Sequence, residues 1–533
     1  MSRDPRPVLR RRLLAAVVLL AACTAVRRPL AAQDAPAPPA APLSDADAKV
    51  ARAELDEAVA LQERRQYAAA RKKLVAWLAR WPGADPAWRT EAEDRSEDNA
   101  FLGLECIHRG GPSENRIDVE LMGDGYLLTQ QDTFRKHAEA QLKEFWREPL
   151  YDEYGAYLNV WRFDLASKEE GVDEVARPAP EGDAGRRRKR PLKEYSTALD
   201  CQAAGPQNQV WADPEMVFRW RKYLKESDGL SICFAKKGEL GMGGMGIATT
   251  GRRVAVVHEF GHAFVGLLDE YAVNPGSPPG RVAARNAISG KGPKEPPDVE
   301  RVPWRHWLDA KNPEVGVFLG GATFQEGVFR PAASCAMNAG GGGSYCWVCR
   351  EAGVLKLYEY VNPVDEATPA SPRVTLASGA TATFSVVPLA PKSHRLSTEW
   401  FLERVRTRVV TDDDEEDDGR GAGPVAPAAP PPEAPPVAHT PDGWSRGPLR
   451  GHERHANPWP PGPPNGEPVD AKEKAEGRSY RSTVTLEKLT VGRYRLTARV
   501  RDDAQVPGYR FPWVLRDPVK LLEERRTWEI EVR

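Results

Sequence analysis

The sequence lacks an excess of charge of either sign, and this absence removes one class of partner. Its 533 residues include 75 Lys and Arg against 76 Asp and Glu, so the formal net charge at pH 7 is -1. Proteins that bind nucleic acids through the phosphates need a surplus of basic residues. The composition therefore gives no reason to expect a nucleic-acid partner.

The sequence also lacks, at its N-terminus, an apolar run long enough to cross a membrane comfortably, which takes about 20 residues. The run LLAAVVLLAACTAV at residues 13–26 is too short, and the three arginines before it make it typical of a secretory signal peptide. LAAC at residues 20–23 resembles a bacterial lipobox, which predicts removal of residues 1–22 and a lipid anchor to the membrane at Cys23. The alternative is ordinary cleavage near residues 31–32. Either way the protein is exported, to the cell envelope as a lipoprotein or as a secreted protein.

The stretch VVHEFGHAFVGLLDEY, residues 256–271, concentrates side chains that bind metals. His258 and His262 are four residues apart, so on a helix both imidazoles project from one face and can reach one zinc ion. Glu259 lies beside the first histidine, where a carboxylate can accept a proton from metal-bound water without being a ligand. The stretch therefore predicts a metal centre, in preference to an amphipathic helix that happens to carry histidines.

A third ligand is expected after Gly266, which can end the helix in the left-handed conformation and turn the chain back. Asp269 follows three residues later and is the favoured ligand. Glu270 is the alternative ligand, and it could instead form a hydrogen bond to one of the ligands. Three protein ligands would leave one position of a zinc ion open, as in catalytic sites.

Four further segments occur around this motif in an order that resembles the igalysins, the IgA-protease-like family of the metzincin zinc peptidases. They are NRIDVELMGDGYL (115–127), LNVWRFDLAS (158–167), VGVFLGGATFQEGVFRPAASCAMN (315–338) and CWVCRE (346–351). Several motifs in one order are more specific than a single motif. The resemblance is informative about the family and says little about the substrate.

By this resemblance, His258, His262 and Asp269 would bind one catalytic Zn²⁺, and Glu259 would be the general base. Met337 would lie beneath the metal as the methionine of the Met-turn. The protein would then be a metallo-endopeptidase acting on a protein or peptide substrate. One departure is that the glycine falls one residue later than in the pattern H-E-x-x-H-x-x-G-x-x-H, and the third ligand is acidic.

The cysteines fit an exported protein. Without Cys23 there are six, and an even number in an oxidising compartment predicts up to three disulfides of unknown pairing: Cys106, Cys201, Cys233, Cys335, Cys346 and Cys349. Cys346 and Cys349 near Cys335 could suggest a structural zinc site. The sequence offers no clear fourth ligand, so disulfides are the prediction.

Composition divides the N-terminal part of the chain into three regions. Residues 23–46 are rich in Pro and Ala and are predicted to be a tether. Residues 47–99 are predicted to be a helical, tetratricopeptide-like region. Within it, residues 47–83 resemble a single helical hairpin, which cannot bury its apolar face alone and must dock on the catalytic domain or a partner. Residues 100–365 are the predicted catalytic domain, with a basic, Pro-rich surface loop at residues 177–195.

The C-terminal part has a different pattern. Alternating apolar residues at 370–410 and 478–533 predict an antiparallel β-sandwich. Between them, the acidic and Pro-rich residues 411–477 have too little apolar content to form a core and are predicted to be disordered.

The fold class expected is therefore a multidomain α+β protein. A metzincin-like catalytic domain, with a twisted mixed sheet and an active-site helix, would lie between a helical hairpin and a β-sandwich. The competing function is a lipid-anchored binding or adhesion protein that is catalytically silent and holds a structural metal. Glu259 argues against this alternative, because a structural metal site is closed and needs no base.

Overall fold

The computed structural model describes residues 41–174, 193–204, 209–238, 240–251, 255–338, 343–405 and 463–533. The predicted signal peptide, the lipidation site Cys23 and most of the tether lie outside these ranges. So do most of the predicted surface loop at residues 177–195 and most of the predicted disordered segment 411–477. In the described part of the chain, no helix combines the length and the apolar character needed to cross a bilayer.

The described chain is of mixed α and β structure. Its α-helices are α1 (Asp45–Glu63), α2 (Tyr67–Arg80), α3 (Pro86–Ser96), α4 (Gln131–Phe145), α5 (Pro149–Glu153), α6 (Pro214–Arg221), α7 (Val256–Phe260), α8 (Arg305–Asp309) and α9 (Trp347–Tyr360). Short 3₁₀ turns occur at Ser113–Asn115, Leu128–Gln130, Gly155–Tyr157 and Val299–Arg301.

The strands before α9 are β1 (Ala100–Arg109), β2 (Ile117–Asp124), β3 (Leu158–Ala166), β4 (Asp173–Glu174), β5 (Gln202–Ala204), β6 (Gln209–Trp211), β7 (Leu230–Ala235), β8 (Met242–Gly244), β9 (Ile247–Thr250), β10 (Ala272–Asn274), β11 (Ala283–Ala284), β12 (Ala287–Ser289), β13 (Phe318–Gly321) and β14 (Thr323–Arg330). The strands after it are β15 (Val364–Thr368), β16 (Arg373–Leu376), β17 (Ala382–Pro388), β18 (Ser397–Val405), β19 (Glu467–Pro468), β20 (Lys472–Glu476), β21 (Ser479–Leu486), β22 (Gly492–Arg501) and β23 (Glu523–Val532).

The N-terminal region has three helices where the sequence suggested a hairpin. Helix α3 begins at Asp85-Pro86, where the aspartate side chain accepts a hydrogen bond from Ala87 N and proline is tolerated in the first turn. The helices dock on the following region. Gln62 donates to the carbonyl of Phe101 on β1 (3.5 Å), and Asp94 accepts hydrogen bonds from Arg219 (3.0 Å) and Tyr223 (2.8 Å).

The central sheet has six strands in the order β1-β3-β2-β7-β9-β8. Strands β3, β2, β7 and β9 run parallel to one another, while β1 and β8 pair antiparallel at the two edges. Every residue of β2 and β7 is buried, as expected of parallel strands covered on both faces. This is the mixed sheet that the sequence predicted, and its β8 edge lies beside α7.

The C-terminal region forms two sheets, β15-β17-β21-β20 and β16-β23-β22-β18-β19. Their aromatic side chains meet between the sheets: Trp528 stacks on Trp400 with ring centroids 5.7 Å apart and contacts Phe384 at 5.4 Å. Pairing is antiparallel except between β16 and β23, which are parallel. The expectation of a wholly antiparallel sandwich is thus corrected at one strand pair, and β15 extends the region to Val364.

The predicted disordered segment 411–477 also differs at its C-terminal end. Strands β19 and β20 lie within it, and β20 pairs with β21 from Lys472↔Thr483 to Glu476↔Ser479. The turn passes through Gly477, whose φ of 60° suits glycine. Apolar content failed as a guide because β20 is a charged, exposed edge strand held by backbone hydrogen bonds.

A buried polar network joins the two C-terminal sheets to the region of the central sheet. Asp502 accepts hydrogen bonds from Tyr154 (2.9 Å) and Tyr358 (2.7 Å) and pairs with His394 (2.9 Å). The other ring nitrogen of His394 lies 2.8 Å from Glu153. Burial lowers the pKa of His394, but these two carboxylates raise it to about 9.

Candidate metal centre

Helix α7 and the π-helical turn that continues it, Gly261–Val265, carry the two histidines. Apolar side chains hold this segment in the core, where Phe260 stacks on Phe264 (5.3 Å) and packs edge-on against Tyr151 (5.6 Å). Gly266 then adopts φ 74°, the left-handed conformation expected at the end of the helix. The chain therefore reverses where the glycine predicted it, and Asp269 returns to the histidines.

Three side chains converge in one place. The Nε2 atoms of His258 and His262 are 3.2 Å apart, and Oδ1 of Asp269 lies 3.0 Å and 3.2 Å from them. In the described chain, no other group of at least three His, Cys, Asp or Glu whose ligand atoms all lie within 4.8 Å of one another includes a histidine. The structure therefore brings together the three residues that the sequence singled out as ligands.

The orientation of both imidazoles suits a metal. Nδ1 of His258 is 2.9 Å from the carbonyl of Ala336, and Nδ1 of His262 is 2.6 Å from that of Leu267. A carbonyl can only accept, so each Nδ1 carries a proton, and Nε2 is the nitrogen of each ring that is left to bind an ion at the common point. Tetrahedral zinc with bonds of about 2.0–2.1 Å has ligand atoms about 3.3 Å apart, close to the separations observed. The residues present fit a zinc ion.

Electrostatics inside the cluster follow from this geometry. Burial lowers the pKa of His258, but the hydrogen bond to Asp269 and the charge of Glu259 raise it to about 9. Burial opposes ionisation of Asp269, yet hydrogen bonds from both histidines hold the pKa of that carboxyl well below its ordinary value. The site thus keeps a charged carboxylate beside two imidazoles.

Glu259 is buried next to the cluster, and its own environment differs from that of Asp269. Burial raises the pKa of Glu259 to about 7, although the two histidines act in the opposite direction. Strand β8 and the residue before it cover Glu259 closely: a Cβ at Gly241 would lie 2.7 Å from Cγ of Glu259, and one at Gly243 would overlap its carbonyl. Only glycine permits this approach of the sheet edge to the helix.

Met337 lies in the turn beneath the helix and is fully buried. A Cβ at Gly261 would be 2.8 Å from its sulfur, so the side chain packs directly under the metal-binding segment. The same turn supplies two hydrogen-bond acceptors, the Ala336 carbonyl for His258 and the Met337 carbonyl for Glu270 N (2.7 Å). Tyr345 serves the scaffold, because its hydroxyl donates to the carbonyl of Val257 (2.6 Å).

Glu270 does not point to the histidines. Its Oε1 accepts a hydrogen bond from Asn286 (3.1 Å) and lies 3.0 Å from Sγ of Cys349. The adjacent acids therefore face opposite ways, and the structure places Asp269 alone beside the imidazoles.

The predicted disulfides are absent from the described residues. Their six cysteines are free, and three of them surround Glu270: Cys335, Cys346 and Cys349. The prediction of disulfides was wrong because it rested on the even number of cysteines alone. The fold instead places three of them around a carboxylate that is distant in sequence.

Two features of the site could not be found from the sequence. Asn286 holds the loop of the third ligand by bonding both the N–H and the carbonyl of Leu268 (3.0 Å and 2.8 Å), and no local pattern marks it. Tyr271 stacks on the ring of His258 with centroids 6.0 Å apart. Both contacts depend on how the chain after Gly266 folds back.

Comparison with known proteins addresses the surrounding scaffold. None of the curated proteins matches the chain significantly in sequence. Residues 106–185 match the family model described as IgA Peptidase M64. The matched segment contains β2 and β3 of the central sheet and lies before the metal-binding motif in sequence. This match supports a peptidase, and it confirms the resemblance to the igalysin family that the sequence motifs indicated.

Proposed function

We propose that this protein is an exported zinc metallo-endopeptidase. One observation carries the proposal: two imidazole nitrogens and one carboxylate oxygen meet within 3.0–3.2 Å of one another, with both imidazoles held by backbone carbonyls. The described residues provide three ligands there and Glu259 beside them. Three ligands with a neighbouring base are typical of catalytic zinc sites.

His258, His262 and Asp269 would hold the ion. Bound there, Zn²⁺ would supply a Lewis acid that polarises the scissile carbonyl and acidifies a water molecule. The Nδ1 hydrogen bonds would align both rings toward it and leave Nε2 as the nitrogen that binds, because each ring nitrogen that faces a carbonyl retains its proton.

Glu259 would move the proton. Its carboxyl is buried, its pKa is raised to about 7, and it is adjacent in sequence to the first ligand. A base whose pKa is near the working pH can accept a proton from the attacking water and return it to the leaving nitrogen. Each peptide bond broken would consume one water and release one carboxyl and one amine.

Strand β8 would bind the substrate backbone. It is the edge strand of the central sheet, and its glycines approach Glu259 and His262 closely. Met242 and Met245 beside it are about half exposed. An extended peptide could therefore add to the sheet by backbone hydrogen bonds and place a carbonyl near the three ligands.

Export follows from the N-terminal sequence. The basic residues and short apolar run of residues 10–26 support a signal peptide, and LAAC at residues 20–23 supports a lipid anchor at Cys23. Mass analysis of the mature N-terminus tests this part of the proposal. A lipidated Cys23 is expected, while an unmodified start near residues 31–32 contradicts the anchor and preserves export.

The function is tested with Glu259→Gln, a change that removes the base and retains the shape of the side chain. We expect the variant to hold as much zinc as the wild type and to lose on the order of 10²–10⁴-fold in cleavage of casein or an unstructured peptide library. Removal of zinc by a chelator should abolish wild-type cleavage, and added zinc should restore it. If both proteins keep zinc and behave alike toward every substrate, the alternative of a silent binding protein is favoured.

A further inference from the structure

A second group of metal-binding side chains lies next to the candidate metal centre. It consists of Cys335, Cys346, Cys349 and Glu270, whose ligand atoms all lie within 4.8 Å of one another. Sγ of Cys349 is 3.0 Å from Oε1 of Glu270, and Sγ of Cys346 is 3.9 Å from the same oxygen. These four residues are called the cysteine cluster below.

The cysteine cluster has the composition of a closed zinc site. With Zn–S bonds of about 2.3 Å, the sulfurs of a tetrahedral site are about 3.8 Å apart, which matches a set of atoms gathered within 4.8 Å. All three thiols are free. Glu270 supplies the fourth ligand. The sequence pattern did not reveal it, because Glu270 is 65 or more positions from the cysteines and only folding brings it to them.

One oxygen of the Glu270 carboxylate lacks a hydrogen-bond partner among the described residues. The side chain is fully buried, and in the described part of the chain its Oε2 has no hydrogen-bond partner. A buried carboxylate oxygen without a partner costs free energy that a bound cation would offset. This orphaned oxygen is an observation independent of the grouping of the thiols.

The N-terminus of a helix also adjoins the cysteine cluster. Cys346 is the N-cap of the 14-residue helix α9, and Cys349 lies in its first turn. Free backbone N–H groups at a helix N-terminus stabilise negative charge. The N–H of Cys346 is already directed at Sγ of Cys335, at 3.3 Å.

We propose that the cysteine cluster binds a second Zn²⁺, in a structural site closed by three thiolates and one carboxylate. With four protein ligands, the site has no open position for a water and no catalytic role. The binding of this ion does not depend on the proposed peptidase activity, because it requires none of His258, His262 or Glu259.

The second ion would fasten the scaffold of the first site. Glu270 directly follows Asp269, and Cys335 directly precedes Ala336, whose carbonyl accepts from His258. One ion would therefore cross-link the loop of the third ligand, the turn beneath the helix and the start of α9. Removing the second ion should lower activity indirectly, by displacing Asp269. This effect on activity is separate from the zinc content of the cysteine cluster.

The test measures the zinc content of the purified full chain and, in parallel, the redox state and reactivity of its cysteine thiols. We expect two zinc ions for the wild type, one for His262→Ala, one for Cys349→Ser and two for the control Cys106→Ser, whose cysteine is on β1 outside the cluster. The six cysteines other than Cys23 should be reduced. The three in the cluster should react with a thiol reagent only after the metal is removed.

Two results would overturn the proposal: Cys349→Ser with the zinc content of the wild type, or a mass showing that cluster cysteines form a disulfide. If Cys349→Ser fails to fold, cobalt-substituted His262→Ala decides. A thiolate-to-cobalt absorption band in that variant supports the cysteine cluster, and its absence refutes it. Loss of the histidine site alone would contradict the proposed function and leave this inference standing.

Discussion

At the scale of single residues, substitutions of Met337 can distinguish the contribution of its side-chain volume to stability from the contribution of its sulfur. It is fully buried and packs under Gly261 of the metal-binding segment. Met337→Leu conserves volume, so we expect a loss of less than about 1.5 kcal/mol in the free energy of unfolding and retained zinc. Met337→Ala leaves a cavity and should cost about 2–5 kcal/mol.

Urea unfolding of the two Met337 variants, with zinc content measured in parallel, checks this prediction. Equal stability of both variants would show that the methionine is not a packing element of the site. Loss of zinc in the leucine variant at unchanged stability would instead give the sulfur a role beyond packing.

The convergence of the three candidate ligands was predictable from the sequence, because it depends on local geometry. The spacing of His258 and His262 fixes a shared helix face, and Gly266 fixes the turn that returns Asp269. The spacing from Gly266 favoured Asp269 over Glu270, but the sequence did not show what holds Glu270 away, since Glu270 contacts Asn286 and a cysteine more than 60 residues away. A sequence motif specifies such a site only as far as its contacts are local.

At the scale of elements, the approach of β8 to α7 controls the geometry of the site. A Cβ at Gly243 would overlap the Glu259 carbonyl and lie 2.9 Å from Cβ of His262, whereas one at Gly244 meets no atom within 4 Å. We therefore expect Gly243→Ala to push the strand from the helix. It should cost about 1–3 kcal/mol in stability and on the order of 100-fold in cleavage.

Gly244→Ala is the matched control, one position along the same strand, and should behave nearly as the wild type. Thermal unfolding and cleavage rates of the two variants provide the measurement. If both alanines are tolerated equally, the close contact of β8 with α7 is not required for the site.

At this scale the sequence predicted types of element better than their partners. The mixed central sheet was expected from the resemblance to the igalysins, and the helix with the histidines and the C-terminal strands were expected from apolar periodicity. Helix α3 and strand β20 were not, because α3 is mostly polar and β20 is exposed. Helix α3 is stabilised by docking on its neighbours and β20 by backbone pairing at the sheet edge. The periodicity of apolar residues does not reveal either kind of contact.

At the scale of the whole molecule, His394 links the C-terminal sheets to the region that contains the site. Its pKa rises from 6.5 to about 9, because hydrogen bonds to Asp502 and Glu153 outweigh the effect of burial. A raised pKa means that the folded state binds the proton more tightly. The stabilisation is therefore complete below pH 6.5 and is lost as the pH rises through about 9.

His394→Gln should remove this dependence. The difference in the free energy of unfolding between wild type and variant should be about 3–5 kcal/mol at low pH, as for one partner of a buried ion pair, and should shrink above pH 9. His108→Gln, on β1 with one ring nitrogen 2.8 Å from a backbone carbonyl, is the control. A His394 difference that is constant with pH would contradict the proposed charged network.

The central claim is that His258, His262 and Asp269 hold one zinc ion with a position left open. Anomalous diffraction from crystals of the full chain, recorded at the zinc absorption edge, tests this claim most directly. The account predicts a peak at bonding distance from Nε2 of both histidines and Oδ1 of Asp269, with no fourth side chain bound. No peak there, or a peak whose fourth position is filled by another side chain, would contradict it.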